Sequence, residues 1–232
     1  SNTETLGGPQ TTVGSTWTIG ALVSQSSGLP LKLPIEANSY GEFSSFMPGM
    51  TNLGDILDRE GYNQFFMLGS DFKFAGRDKL YTQHGNYDYF DYVDAKYKQY
   101  LHPDYWVWWG YEDEKLFEFS KEKLTTLAAK PEPFNFTMLT ADTHFADGYP
   151  TEGMATDFDT QYENVIMHSS IQLMEFLSWM QEQDFYEDTT VVIVGDHLTM
   201  DANIIKNYVP NDYTRTIYNT ILNSPKIPIN PL

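Results

Sequence analysis

The sequence predicts an α/β fold, a mostly parallel central sheet flanked by helices, and three observations carry that prediction. Val191-Val192-Ile193-Val194 is an unbroken β-branched run, the pattern of a central parallel strand buried on both faces, and Gly195 ends it. Residues 51–68 read as a capped short helix, a glycine stop and a strand, half of an α/β repeat. Phe134 to Thr140 reads as a further strand, and apolar residues at helical spacing from Tyr162 to Met180 supply the helix that follows it.

Composition sets outer limits. A chain of 232 residues is one large domain, or most of one, and is long enough to bury a core. Fourteen Lys and Arg against 32 Asp and Glu give a net charge of −18, which argues against a nucleic-acid partner held through phosphates and against electrostatic adhesion to anionic lipid. With no cysteine, a disulfide scaffold, a thiol nucleophile and a thiolate metal site are all excluded. No apolar run approaches the ~20 residues of a membrane span, and no signal-peptide pattern opens the chain. The abundance of Tyr, Phe and Trp (16, 15 and 5) suits carbohydrate or glycerol-type ligands as well as ordinary packing.

Taken in order, residues 1–15 read as a loop feeding Gly14-Ser15-Thr16-Trp17-Thr18. A short helix through Ile19–Val23 follows, ended by Ser26-Ser27-Gly28 and Pro30. A hydroxyl at such a start sits where backbone N–H groups converge and the helix dipole is positive, although Ser and Thr are also ordinary caps. Thr51 is expected to cap the next helix, with Leu53, Ile56 and Leu57 facing inward and Gly61 as its terminator, before a strand from Tyr62 to Leu68. Asp71 to Asp78 reads as a loop carrying Lys73 and Arg77; in so acidic a chain this pair is either a phosphate grip or a salt-bridged surface.

Residues 81–111 are dense in Tyr, Trp and Asp without a regular period and predict a long loop packed by its aromatics. A helix from Glu112 to Leu124 follows, with acids in its first turn as the dipole prefers. The strand from Phe134 ends in Asp142-Thr143-His144, and residues 145–158 form a Gly/Pro loop. In the long helix Met167, Met174, Trp179 and Met180 read as core, and His168 as a packing residue; His84 also reads as structural. Beyond His197 the chain predicts a helix, a loop and a strand from Thr214 to Leu222.

The candidate chemistry gathers at strand ends and one helix start: Thr16, Arg77, His144 and the Asp196–His197 pair. Ligands bind at the carboxyl ends of strands in open α/β sheets. A carboxylate oxygen beside an imidazole nitrogen suits a divalent metal such as Zn²⁺ or Mn²⁺; the plainer reading is an Asp that caps the next helix and an exposed His.

Four motifs in one order carry a resemblance over nearly the whole chain: Gly14-Ser15-Thr16-Trp17-Thr18-Ile19 with Ser24 to Leu31, Asp71-Phe72-Lys73-Phe74-Ala75-Gly76-Arg77, Asp142-Thr143-His144-Phe145 with Asp147-Gly148-Tyr149, and Val194-Gly195-Asp196-His197. Together they resemble the phosphoglycerol transferases of the alkaline phosphatase/sulfatase superfamily, relatives of lipoteichoic acid synthase. The resemblance implies a single sulfatase-like catalytic domain over residues 1–232, truncated at both ends. That domain would stand on the extracytoplasmic face of a bacterial membrane, tethered by transmembrane helices outside this chain. It implies transfer of glycerol phosphate from phosphatidylglycerol to a glycan or teichoic acid acceptor through a phospho-threonine intermediate. Thr16 would be the nucleophile; Thr16, Asp196 and His197 would hold Mn²⁺, with Mg²⁺ or Zn²⁺ as substitutes; Arg77 and His144 would bind the phosphoglycerol.

The family's remaining metal ligand is an acid upstream of the nucleophile, and the residues ahead of Thr16 offer only Glu4, in a different context. The arginine loop also reads Ala75-Gly76 where lipoteichoic acid synthases have a tryptophan before the arginine. Thr16-Trp17-Thr18-Ile19-Gly20 lacks the Cys/Ser-x-Pro-x-Arg setting that a sulfatase nucleophile needs, and the absence of cysteine argues against the disulfide-rich phosphoethanolamine transferases. A phosphatase or phosphodiesterase of the same fold, and a non-catalytic glycan-binding relative, are the alternatives.

Overall fold

The computed structural model describes residues 8–32 and 38–225, which form two compact units. The larger takes in residues 26–28 and 38–176, the smaller residues 8–25, 29–32 and 177–225.

The larger unit is built on a parallel three-stranded sheet in the order β2-β1-β3, with β1 at Asn63–Leu68, β2 at Asp88–Phe90 and β3 at Phe134–Leu139. Burial on both faces, expected of Val191–Val194, belongs here to β1, whose residues Gln64 to Leu68 are all buried. On one face Phe66 packs against Phe72 and Tyr81, ring centroids 5.4 and 4.1 Å away, the latter on α3 (Arg77–Gln83). On the other, Phe65 and Met67 pack with Leu116 and Leu127 of α5 (Asp113–Ala128). Each such aromatic or Met withdrawn from water contributes about 1.5–3 kcal/mol.

The segment from 81 to 111 is more regular than its sequence predicts. β2 pairs with β1 over Phe65↔Asp88 to Met67↔Phe90, and α4 (Tyr92–Tyr97) follows, capped by Asp91 through Asp94 N–H. Three residues are too few for a periodicity signal, and the strand exists because β1 offers it a ladder. The short helix α2 (Leu53–Arg59) is capped by Asn52, not Thr51, in a reciprocal box with Asp55. Leu53 and Ile56 are about half exposed rather than inward, because α2 approaches its neighbours through Gly54, whose carbonyl accepts from Gln64. His84 is buried between Asp55 and the Phe46 carbonyl, as its structural reading expects.

The long helix α6 spans Gln161–Gln181. Tyr162, Val165, Phe176 and Met180 are buried, whereas Ile166, Met167 and Met174 are exposed, the last by 60%. Met167 and Met174 are therefore not core: the helix is apolar on more than one face, and periodicity does not say which face is covered.

In the smaller unit, α1 is Thr18–Ser27 and β4 is Val191–Val194. β4 pairs antiparallel with β5 (Asn219–Leu222) from Val191↔Leu222 to Val194↔Asn219, and Val192 and Val194 are exposed. The expectation of a central parallel strand buried on both faces does not hold among the described residues; an apolar run cannot distinguish a doubly buried strand from one half of a ribbon. Helix α7 (Ala202–Tyr208) is capped by Asp201 through Ile204 N–H. Among the described residues no helix is long and apolar enough to cross a membrane.

Candidate functional site

Thr16 lies two residues ahead of α1 and is exposed. The turn before it is fastened by Ser15, whose hydroxyl donates to the Thr12 carbonyl at 2.8 Å and accepts from Thr12 N–H at 3.0 Å. Behind β4, Gly195 N–H donates to Tyr218 O at 2.9 Å, so the ribbon holds the chain up to the residue before Asp196. Two bonds then tie α1 to this strand end. Gln25 Nε2 donates to Gly195 O at 3.0 Å, and Thr18 Oγ1 donates to Asp196 Oδ2 at 3.1 Å.

His197 Nδ1 lies 3.0 Å from the Leu198 carbonyl, which can only accept, so this nitrogen carries the proton. Nε2 is then the nitrogen that faces Asp196 Oδ2, 3.2 Å away. A carboxylate oxygen and an imidazole nitrogen this close share a positive charge between them, a proton or a metal ion. An imidazole oriented by a backbone carbonyl is also the usual support of a metal-ligating histidine. Asp196 and His197 thus fit a divalent metal as two of its ligands. Among the described residues no third Asp, Glu, His or Cys joins them, and Glu4 lies outside those residues.

The larger unit positions Arg77 and His144. Arg77 opens α3 behind Ala75 and Gly76, both in the left-handed region at φ 60° and 82°. Its side chain is 6% exposed; Nη2 donates to Ser70 Oγ at 3.1 Å and to the Asp71 carbonyl at 2.6 Å, while Nε is buried without a hydrogen-bond partner. Burial pulls its pKa down to about 10, against the opposing pull of Asp71, so it remains a cation at neutral pH. His144 N–H donates to Ala141 O at 3.0 Å, and its Nδ1 donates to the Phe145 carbonyl, leaving Nε2 as the outward nitrogen. Aromatic rings connect the two residues: Arg77 Cζ lies 5.4 Å over Phe74, Phe74 and Trp109 centroids are 6.1 Å apart, and Trp109 meets His144 edge-on at 4.9 Å.

The turn that carries His144 is clamped to the start of α5. Asp113 accepts from Ala141 N–H (2.8 Å) and Asp142 N–H (3.0 Å), and Asp142 Oδ2 accepts from Asp113 N–H at 3.1 Å. Both carboxyls are almost fully buried, and Asp142 Oδ1 has no hydrogen-bond partner. Burial raises both pKa values, and the Asp113 charge pushes Asp142 further up.

The structure thus brings Asp196 and His197 together, and separately links Arg77 to His144. Thr18 was the less obvious hydroxyl: spacing singles out Thr16, and only the fold shows which side chain reaches Asp196. Ser70, Trp109 and Asp113 carry no motif signal, and Asp142 stands in a motif that does not disclose its partner; the one hint was the aromatic density of residues 81–111.

Residues 9–216 match the sulfatase family. Phosphoglycerol transferase I from Salmonella typhi and from Salmonella typhimurium are each 30% identical over 193 residues, covering 81% of this chain and 25% of theirs. The chain therefore spans about a quarter of the length of these curated relatives. Among solved structures, an alkaline phosphatase superfamily protein from Vibrio parahaemolyticus superposes with a TM-score of 0.70 at 23% identity, over 92% of this chain and 50% of that one. The lipoteichoic acid synthase LtaP from Listeria monocytogenes superposes with 0.71 at 18% identity, over 91% and 54%. Both share the fold. With its parallel sheet, its Asp196–His197 pair and a family match over most of its length, this chain belongs to the sulfatase family and is similar to the phosphoglycerol transferases.

Proposed function

We propose that this chain is the reaction-bearing region of a phosphoglycerol transferase. It would move glycerol phosphate from phosphatidylglycerol to a cell-envelope glycan or teichoic acid acceptor, on the extracytoplasmic side of a bacterial membrane. The observation that supports it most is the convergence of His197 Nε2 and Asp196 Oδ2 beside a hydroxyl-bearing helix start.

Asp196 and His197 would hold Mn²⁺, with Thr16 as a third ligand. When bound, the ion lowers the pKa of a coordinated hydroxyl and offsets charge on phosphoryl oxygens. The Thr16 hydroxyl attacks phosphorus, an O–P bond forms to its Oγ1, and the bond from phosphorus to the diacylglycerol oxygen breaks. The threonine proton leaves and the departing oxygen takes one up, releasing diacylglycerol. An acceptor hydroxyl then attacks phosphorus in line and the threonine oxygen departs, which divides one difficult transfer into two. Arg77 and His144 Nε2 would hold the phosphoryl oxygens. Thr18 holds Asp196 in orientation.

The test is intact-mass spectrometry after incubation with phosphatidylglycerol and Mn²⁺, comparing the parent with Thr16→Ala and Thr18→Ala. A glycerol-phosphate adduct on the parent and on Thr18→Ala, missing in Thr16→Ala, is the expected result. An adduct that survives Thr16→Ala and vanishes in Thr18→Ala moves the nucleophile by two residues. Glycerol phosphate release with no adduct favours a hydrolase.

A further inference from the structure

Residues 107–110 form a closed turn: Val107 N–H donates to Gly110 O at 3.0 Å and Gly110 N–H donates to Val107 O at 2.8 Å, leaving Trp108 and Trp109 at the tip. The turn is docked on the carboxyl ends of two adjacent parallel strands. Beyond β1, Gly110 bridges Ser70 and Tyr111 N–H donates to Gly69 O at 2.8 Å; beyond β3, Trp108 Nε1 donates to Ala141 O at 3.0 Å. The approach to β1 is so close that a Cβ on Gly110, whose φ is 151°, would lie 2.2 Å from the Gly69 carbonyl oxygen. Trp108 itself is held at φ 51°, a costly conformation for a bulky residue.

The conformation pairs Trp108's indole N–H with the backbone and leaves Trp109 exposed. Trp109 stays 38% exposed and Phe74 48% exposed, although both touch the side chains around Arg77 and His144. Against the Phe74 ring lies the Arg77 guanidinium, buried, with its Nε unsatisfied. A buried cation with an unused donor, a histidine with one outward nitrogen, and an exposed indole between them form a site with a charged end and an apolar face. Strand carboxyl ends are where such ligands sit.

We propose that Trp109 is the stacking platform of this site and selects a phosphorylated polyol or sugar over phosphate itself. The phosphate lies toward Arg77 and His144, while the C–H face of the carbon chain covers the indole, whose π-electron face attracts weakly positive C–H groups and whose apolar area leaves water. The assignment rests on the reading of Arg77 and His144 as phosphate-binding residues, and adds the residue that recognises carbon.

The probes are glycerol 1-phosphate and inorganic phosphate, titrated calorimetrically into the parent chain, Trp109→Ala, Trp109→Phe and Arg77→Ala. The parent binds glycerol phosphate more tightly than phosphate. Trp109→Ala loses that preference, about tenfold, with phosphate affinity unchanged, and Trp109→Phe restores most of it. Arg77→Ala loses both ligands. Saturation-transfer NMR places the glycerol C–H protons against an indole in the parent. A preference that survives Trp109→Ala overturns the platform and leaves the Arg77 reading standing. Failure of the parent to bind either probe, or full binding by Arg77→Ala, overturns the Arg77 reading and the platform with it.

Discussion

Thr18 Oγ1 donates to Asp196 Oδ2 across 3.1 Å, joining the first residue of α1 to the residue that follows the β4 turn glycine. The bond occupies one lone pair of the carboxylate oxygen that faces His197 and fixes its rotamer. Partners of this kind around ligating groups change metal affinity by about 10–100-fold. Thr18→Val should therefore weaken Mn²⁺ binding by at least about tenfold, and Thr18→Ser should keep it. His197→Ala should remove it. Electron paramagnetic resonance of free Mn²⁺ reads all three; equal binding by Thr18→Val and the parent would separate Thr18 from the Asp196–His197 pair.

The clamp between Asp113 and Asp142 makes stability depend on pH in a definite direction. Burial raises both carboxyls above the value they have in an unfolded chain, so the folded state holds more protons over that interval. Stability is then fully present below the unfolded pKa near 4, and is lost as pH rises through the folded values toward about 8. The slope approaches about 1.4 kcal/mol per pH unit for one retained proton. Denaturant unfolding from pH 5 to pH 8.5 should show falling stability. Asp142→Asn, which keeps an oxygen to accept from Asp113 N–H, should flatten the slope. A pH-independent parent would show that the pair is not protonated when folded.

Arg77 is costly to keep where it is. Its charge is buried, Nη2 donates to Ser70 and Asp71, and Nε has no partner. Replacing buried ionic groups by apolar side chains of similar volume is often neutral or stabilising when no opposite charge is left stranded, and among the described residues no carboxylate forms an ion pair with Arg77. Arg77→Met should therefore unfold at a temperature no lower than the parent while losing phosphate binding. Thermal unfolding beside phosphate titration separates the two effects, and a large drop in melting temperature would make Arg77 a structural residue.

Gly76 sets the direction in which Arg77 leaves the backbone. At φ 82° it is in the left-handed region, and an added Cβ would lie 3.0 Å from Gly41 N and 3.1 Å from Gly41 Cα. Gly76→Ala combines backbone strain with this close approach and should cost about 1–3 kcal/mol. Loss of stability below about 0.5 kcal/mol, read from chemical denaturation, would mean that the loop relaxes freely.

The legible parts of the fold were those with a pattern of their own. The strands ahead of Ser70 and Asp142 were visible as short apolar runs bounded by turn residues, and the helix from Gln161 because apolar residues recur at helical spacing. β2 was invisible because three residues have no period, and Asn52 was missed because a capping box depends on which of two adjacent polar residues turns its side chain back. The direction of β4 was misread for a related reason: an apolar run records burial and says nothing of a partner's orientation.

For the candidate site the division falls between chemistry and placement. Composition and motif order by themselves determined the acidic, cysteine-free α/β chain, the donor types at Asp196 and His197, and the cation at Arg77, because residue identity fixes donor, acceptor and charge. Only tertiary structure decided that Thr18 reaches Asp196, that two aspartates share a buried clamp, and that Trp109 stands between Arg77 and His144 through Phe74. Those relationships join residues far apart in the chain, and the distances between their side chains exist only once the backbone has been packed.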